Sequence, residues 1–359
     1  MAKSAPIKDL LRRLTDALTP TWASGWSYRP QPSKAEYERS VADSLKVLDT
    51  LRATGDWRAI PSVLDLLVHD NPSLRSAGAA VIADLAALIP VRALPGFEAS
   101  VRDSTLQAYS WSELRADWVT RGDWTPRVWA IFTMHRNGYV REAAVRRVMS
   151  GGISLALPYL LLRVNDWVDE VRGLAVESVR RLIRIEHVTH WVTVLGLVDQ
   201  LRQRSRTDHS WLSEKIETMF QHPDARPELL EAAKSSDRAL ARWALRVSMK
   251  LPESDRADFV RLGLENGDPV VRLRAAAVIR AWTNFPGREQ LLAMMKADRF
   301  MPIRREALYS MLNEPSEQQG AYLASLLLDR HASIRYAAKF YLQKKRLKEG
   351  RRSTHERFT

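Results

Sequence analysis

Cysteine is absent from all 359 residues, which excludes a disulfide framework and any thiolate metal site and fits a reducing, cytoplasmic setting. No apolar run approaches the roughly 18 residues of a membrane span, and the first residues lack the continuous apolar core of a secretory leader. Glycine-rich phosphate loops are missing as well: Gly151-Gly152 reads as a turn between helices. His187 and His190 stand three apart with no further ligand at metal spacing, and Asp208-His209-Ser210 places triad residue types consecutively, which has no bearing on triad geometry. The sequence therefore predicts no catalytic site, no cofactor, no metal and no small-molecule substrate. Lysine is scarce too. Of 55 basic residues 12 are lysine, so arginine, the better fork for phosphate or carboxylate, carries most of a net charge of +13.

What the chain has instead is a beat. An aliphatic residue, a basic residue, two variable residues and a small one recur as Leu74-Arg75…Gly78, Val140-Arg141…Ala144, Val171-Arg172…Ala175, Leu240-Ala241…Ala244, Val271-Arg272…Ala275, Ile303-Arg304…Ala307 and Ile334-Arg335…Ala338. The second positions of the last four copies lie 31, 32 and 31 residues apart. A fixed period in this range marks a stacked repeat. The first residue, the small one and a third four residues on share one helical stripe. That third position reads Ile82, Val148, Val179, Ser248, Ile279, Met311 and Leu342. A small residue in mid-stripe lets the neighbouring helix approach closely.

An acid or turn former precedes each stripe: Asp70, Asn137, Asp166, Asp237, Asp268, Asp298 and Asp329. Such residues cap a helix by accepting its free N–H groups. A shorter apolar helix is expected before each, over Ile60–Leu67, Leu155–Leu162, Pro227–Ala233, Leu291–Met295 and Ala321–Leu328. The motif arginines Arg75, Arg141, Arg172, Arg272, Arg304 and Arg335 are expected to be structural, bonded to the capping acid of an adjacent repeat.

These units resemble HEAT repeats, in particular the short variety of phycobilisome-lyase-like proteins, through Gly267-Asp268-Pro269-Val270-Val271-Arg272-Leu273-Arg274-Ala275-Ala276. The resemblance covers 56–90 and 136–345. It implies an all-α fold, an α-solenoid of about nine or ten helical hairpins, and a binding module whose partner the fold does not name. Residues 91–135 and 183–225 lack the Arg/Ala pair and read as degenerate units. Residues 1–55 read as capping helices and a connector, with Ile7, Leu10, Leu11, Leu14 and Leu18 on one side of the first helix and a loop over Thr19–Ser33. Residues 346–359 read as a basic tail.

Three features are candidates for function. Arg146, Arg147, Arg180, Arg181, Arg184, Arg242, Arg246, Arg274, Arg280 and Arg305 lie outside the apolar stripe, on helices that line the concave face of a right-handed solenoid. They are either a surface for an anionic partner, with nucleic acid held through its phosphates, or ordinary solvated faces paired with Glu142, Glu170, Glu177 and Glu306. Trp111, Trp118, Trp124 and Trp129 crowd beside Asp117 and Asp123. The reading is structural packing, a partner-binding patch, or a base-stacking site as in the HEAT-like alkylpurine DNA glycosylases, which this stretch resembles in fold and residue type only. Lys344, Lys345, Arg346, Lys348, Arg351 and Arg352 form a basic run, expected as a flexible arm beyond the last helix or a solubilising end. The reading that follows is a non-catalytic scaffold for a protein partner; DNA or RNA is the alternative, and a membrane is excluded.

Overall fold

The computed structural model describes residues 5–18, 33–107, 114–204, 208–313 and 319–355. Every regular element among them is helical. Contacts divide the chain into two units, Met1–Ile216 and Glu217–Thr359, and each is described by itself.

The Met1–Ile216 unit opens with α1 (Ala5–Leu18) packed on α2 (Lys34–Ala53). Ile7, Leu11 and Leu14 are buried, as their spacing predicts, while the side chain of Leu18 and residues 19–32 of the expected connector lie outside what the structure describes. Ser33 caps α2 in a full capping box with Glu36. The expected helix over Ile60–Leu67 forms as two 3-10 turns, Trp57–Ser62 and Leu64–Val68, with Pro61 inside the first. A proline within the turn removes a backbone donor and weakens an α-helix there. They precede α3 (Pro72–Ala86). Next come α4 (Leu94–Gln107), α5 (Ala116–Arg121) and α6 (Pro126–Phe132). The hairpins α6–α7 (Gly138–Val148) and α8 (Ile153–Val164)–α9 (Asp169–Leu182) follow, then α10 (Val188–Arg204) and α11 (Ser210–Phe220). The degenerate stretch 91–135 is not a plain hairpin. Its α4 lies against the 3-10 turns before α3 and against α8, whereas α6 packs with α3 and α7.

In the Glu217–Thr359 unit the pairs are regular. They are α12 (Arg226–Lys234) with α13 (Arg238–Ser248), α14 (Glu253–Glu265) with α15 (Pro269–Ala281), and α16 (Arg288–Ala297) with α17 (Met301–Asn313). The shorter α18 (Gln319–Ser325) and a 3-10 turn, Leu326–Leu328, precede α19 (Ala332–His355). First helices touch first helices (α12, α14, α16) and second helices touch second helices (α13, α15, α17), giving two layers.

The small residues of the beat lie where the spacing places them. Gly78, Ala144, Ala175, Ala244, Ala275, Ala307 and Ala338 are all buried. Ser248, out of character in an apolar stripe, satisfies its hydroxyl by donating to the Leu245 carbonyl (2.9 Å). How closely the layers approach is measured at Gly263, where a Cβ would stand 2.9 Å from the Ala275 Cβ and 3.3 Å from Leu245. Gly263→Val should therefore destabilise this unit by about 1–3 kcal/mol through overpacking; denaturant unfolding showing no loss would mean that the helices separate freely.

One expectation is corrected at the end of the chain. The run Lys344, Lys345, Arg346, Lys348, Arg351 and Arg352 is not an arm beyond the last helix, because α19 continues to His355. Leucine, glutamine, lysine and arginine all favour helix, and the single Gly350 is insufficient to stop it. The side chains from 346 onward lie outside the described residues, and so do residues 356–359 of the expected tail.

Candidate functional site: arginine rungs and the surfaces they leave free

The motif arginines obey one rule. Each of the six donates from Nη1 to the carbonyl six residues before it: Arg75 to His69 (2.7 Å), Arg141 to His135 (2.9 Å), Arg172 to Asp166 (2.7 Å), Arg272 to Asn266 (2.9 Å), Arg304 to Asp298 (2.8 Å) and Arg335 to Asp329 (2.7 Å). That bond closes the loop ahead of the second helix. Three of them then reach forward with Nε and Nη2 to the acid of the following copy: Arg141 to Asp166 (2.9 and 2.7 Å), Arg272 to Asp298 (2.8 and 3.4 Å) and Arg304 to Asp329 (2.9 Å each). A planar fork with five donors can serve both ends at once, which an ammonium cannot. The acids meanwhile accept the N–H two residues on: Val168, Val270, Phe300 and His331. The cap before Arg75 is Asn71 rather than Asp70.

Where the neighbouring copy departs from the pattern, so does the rung. Arg75 lies 5.6 Å over the Trp118 ring, and Arg172 turns to Asp169 three residues back. In the copy where Ala241 takes the basic position, Arg242 makes the rung from the next residue and binds Asp268 (2.5 and 3.1 Å). Arg242 thus leaves the set of free surface cations.

The deepest rung has grown into a network. Arg141 is fully buried, and Asp166, 4 % exposed, also accepts from Arg163 Nη1 (2.8 Å), itself 1 % exposed. Arg163 pairs with Glu98 of α4, which also holds Arg102 (2.7 Å). Burial pushes the Asp166 carboxyl up, but the Arg141 hydrogen bond, the Arg163 charge and the Val168 N–H outweigh it, so its pKa lies below the ordinary carboxylate value. Burial dominates at Arg102 and lowers its pKa. A cavity of about 320 Å³ opens beside this network, lined by Glu98, Arg102, Arg163, Asp166, Gln200 and Leu197 among others. Its guanidinium and carboxylate groups bind one another, so the cavity is braced by charge. Sequence reading missed Glu98 and Arg163; the only signal was the three-residue spacing of Arg163 and Asp166.

The remaining stripe residues separate by what they touch. Arg146 pairs with Glu142 (2.8 Å), Arg181 with Glu177, and Arg184 with Glu186 (3.5 Å). Arg246 sits 3.6 Å from Glu217, and Arg280 pairs with Glu306 (3.0 Å). Arg147 and Arg180 take indoles instead, lying 5.6 Å over Trp129 and 4.8 Å over Trp211. Arg274 and Arg305 are exposed, with no ion pair among the described residues. The ten arginines are therefore not one stripe of free cations.

The aromatic cluster also comes apart. Trp111 lies outside the described residues. Trp124 is 9 % exposed and packs edge-on against Phe132, so it belongs to the core and not to a surface patch. Trp118 is part-exposed; its Nε1 donates to the Leu67 carbonyl (3.2 Å). Asp117 and Asp123 are exposed, Asp117 facing Arg121 at 3.7 Å. Open aromatic rings stand elsewhere: Tyr139 in the first turn of α7 and Trp167 just before α9, the latter under Arg141 (5.7 Å).

Among the described residues no group of three His, Asp or Glu is placed to hold a metal ion, and no single helix is long and apolar enough to cross a membrane. Compared with known proteins, the chain matches no family model and no curated protein.

Proposed function

We propose that this chain is a non-catalytic α-solenoid of HEAT-like hairpins that binds a partner protein across the exposed face of its second helices. The observation that carries this reading is the pairing of cations on α7 and α9. On α7 and α9, Arg146 and Arg181 are each paired with a glutamate one turn away on the same helix. A track for a phosphate backbone needs cations in excess, because affinity comes from displaced counterions. An alternation of both signs with open rings, Tyr139 and Trp167, suits a protein surface better, since aromatic anchors dominate such interfaces.

The test is co-purification from the native cell with and without nuclease. A protein partner should remain bound after nuclease treatment, and Tyr139→Ala with Trp167→Ala should weaken it about tenfold or more. A second reading, nucleic acid, is favoured by Arg147 and Arg180, which lie over indoles and have no acid partner among the described residues. Under it, all binding vanishes with nuclease, falls steeply with salt, and is abolished by reversing Arg146, Arg147, Arg180 and Arg181 to glutamate. That result would sink the protein reading.

A further inference from the structure

The arginine ladder has an open rung. Arg335 makes the backward half of the pattern, Nη1 to the Asp329 carbonyl, but its Nε and Nη2 have no partner among the described residues. Its counterparts Arg141, Arg272 and Arg304 are buried by the following copy; Arg335 is exposed. Exposed apolar side chains stand on the same helix and on the turn before it. Tyr336 is 76 % exposed, Leu328 88 %, and Phe340 and Leu327 are also exposed. Large apolar side chains left open on one short stretch of chain are candidates for an interaction site.

We propose that this face, Arg335, Tyr336, Lys339 and Phe340 of α19 with Leu327 and Leu328 before it, binds an acidic polypeptide segment of a partner protein. A carboxylate of that segment occupies the free fork of Arg335, and its apolar side chains cover the rings. The four filled rungs say what the fork accepts: a carboxylate, taken by Nε and Nη2 together. The surrounding charge says what kind of segment brings it. From Ala332 to Lys348 the sequence has six basic residues and no acid.

Two other occupants fit less well. A further hairpin of this chain's own type would meet Lys339 where earlier copies bury Val145, Ala276 and Leu308, four residues after their arginines. Burying an unpaired ammonium there is costly. A second copy of this face would set like charges against each other. An acidic segment turns Lys339 from an obstacle into a second anchor. This site is separate from the second-helix face proposed above, and either can fail without the other.

The test uses the full chain and a labelled 24-residue amphipathic peptide, with aspartate at the helix start, leucine and phenylalanine on one edge and glutamate on the other. Its twin carries asparagine and glutamine at every acidic position. In fluorescence anisotropy the acidic peptide should bind at least tenfold more tightly than the twin. Arg335→Ala and Phe340→Ala should each lose about tenfold, and Arg335→Lys should not restore binding, because the fork is lost. Both side chains are exposed, so these variants keep the fold, which circular dichroism verifies. Tyr139→Ala with Trp167→Ala should leave peptide binding unchanged.

Equal binding of peptide and twin, no binding of either up to about 1 mM, or full binding by Arg335→Ala would each overturn the proposal. Equal competition by a 24-nucleotide RNA would show a general polyanion surface instead. Self-association in sedimentation that Phe340→Ala abolishes would assign the face to a second copy.

Discussion

Arg141→Ala is expected to destabilise the Met1–Ile216 unit by about 3–5 kcal/mol, the range for removing one partner of a buried ion pair. The side chain is wholly buried, and its guanidinium serves Asp166 and the carbonyls of His135 and Arg136 together. Its loss leaves two loop carbonyls without their donor and a buried carboxylate with one cation fewer. Arg141→Lys should recover little, since one ammonium cannot span the same acceptors. Arg335→Ala, which removes the same residue type from an exposed rung, should cost under about 0.5 kcal/mol. Urea unfolding of the three variants measures the contrast. Similar losses at 141 and 335 would show that the rungs contribute nothing beyond the helices they join.

The second large effect is on acid stability. The pKa of Asp166 is lowered in the folded protein for the reasons given above; Asp268 is lowered first by its hydrogen bond from Arg242, and Asp329 first by that from Arg304. A carboxyl whose folded pKa lies below the unfolded value of 3.8 contributes stability in full above that value and loses it as the pH falls through the folded pKa. His69 and His209 act in the same direction at higher pH. Burial is the first cause of their lowered pKa, so stability is lost as the pH falls below their ordinary 6.5. Both histidines belong to the Met1–Ile216 unit. That unit should therefore begin to weaken as the pH falls below 6.5, whereas the Glu217–Thr359 unit should hold until the aspartate range. Hydrogen exchange as a function of pH resolves the two. Simultaneous loss of protection in both units at one pH would refute this order.

Periodicity made much of the architecture legible before any coordinates. Buried alanines at fixed spacing can come only from a helix facing a close neighbour, and the acid–arginine pairing was readable because both residues recur in phase. The degenerate stretch 91–135 was opaque for the same reason. With the Arg/Ala pair missing, nothing in the sequence says that α4 lies against the turns before α3 while α6 takes the place beside α3 and α7. The tryptophans misled because density along the chain is not density on a surface. Trp124 turns inward, while Trp129 and Trp211 become platforms for Arg147 and Arg180, contacts that join residues 18 and 31 apart. The basic stripe dissolved because a count of cations does not show which carboxylate each one meets. Arg242 was counted as surface, yet one residue's shift in register makes it a rung.

Every filled rung points the same way along the chain: the arginine comes first and the acid it grips lies 25 or 26 residues later. A joint of that kind has a sender and a receiver, and the hairpins of Asp268 with Arg272 and of Asp298 with Arg304 carry one of each. Removing or duplicating one full beat returns a sender opposite a receiver, whereas a break at any other length strands both. Between Arg242 and Asp329 the lengths open to the chain are thereby quantised in steps of one hairpin.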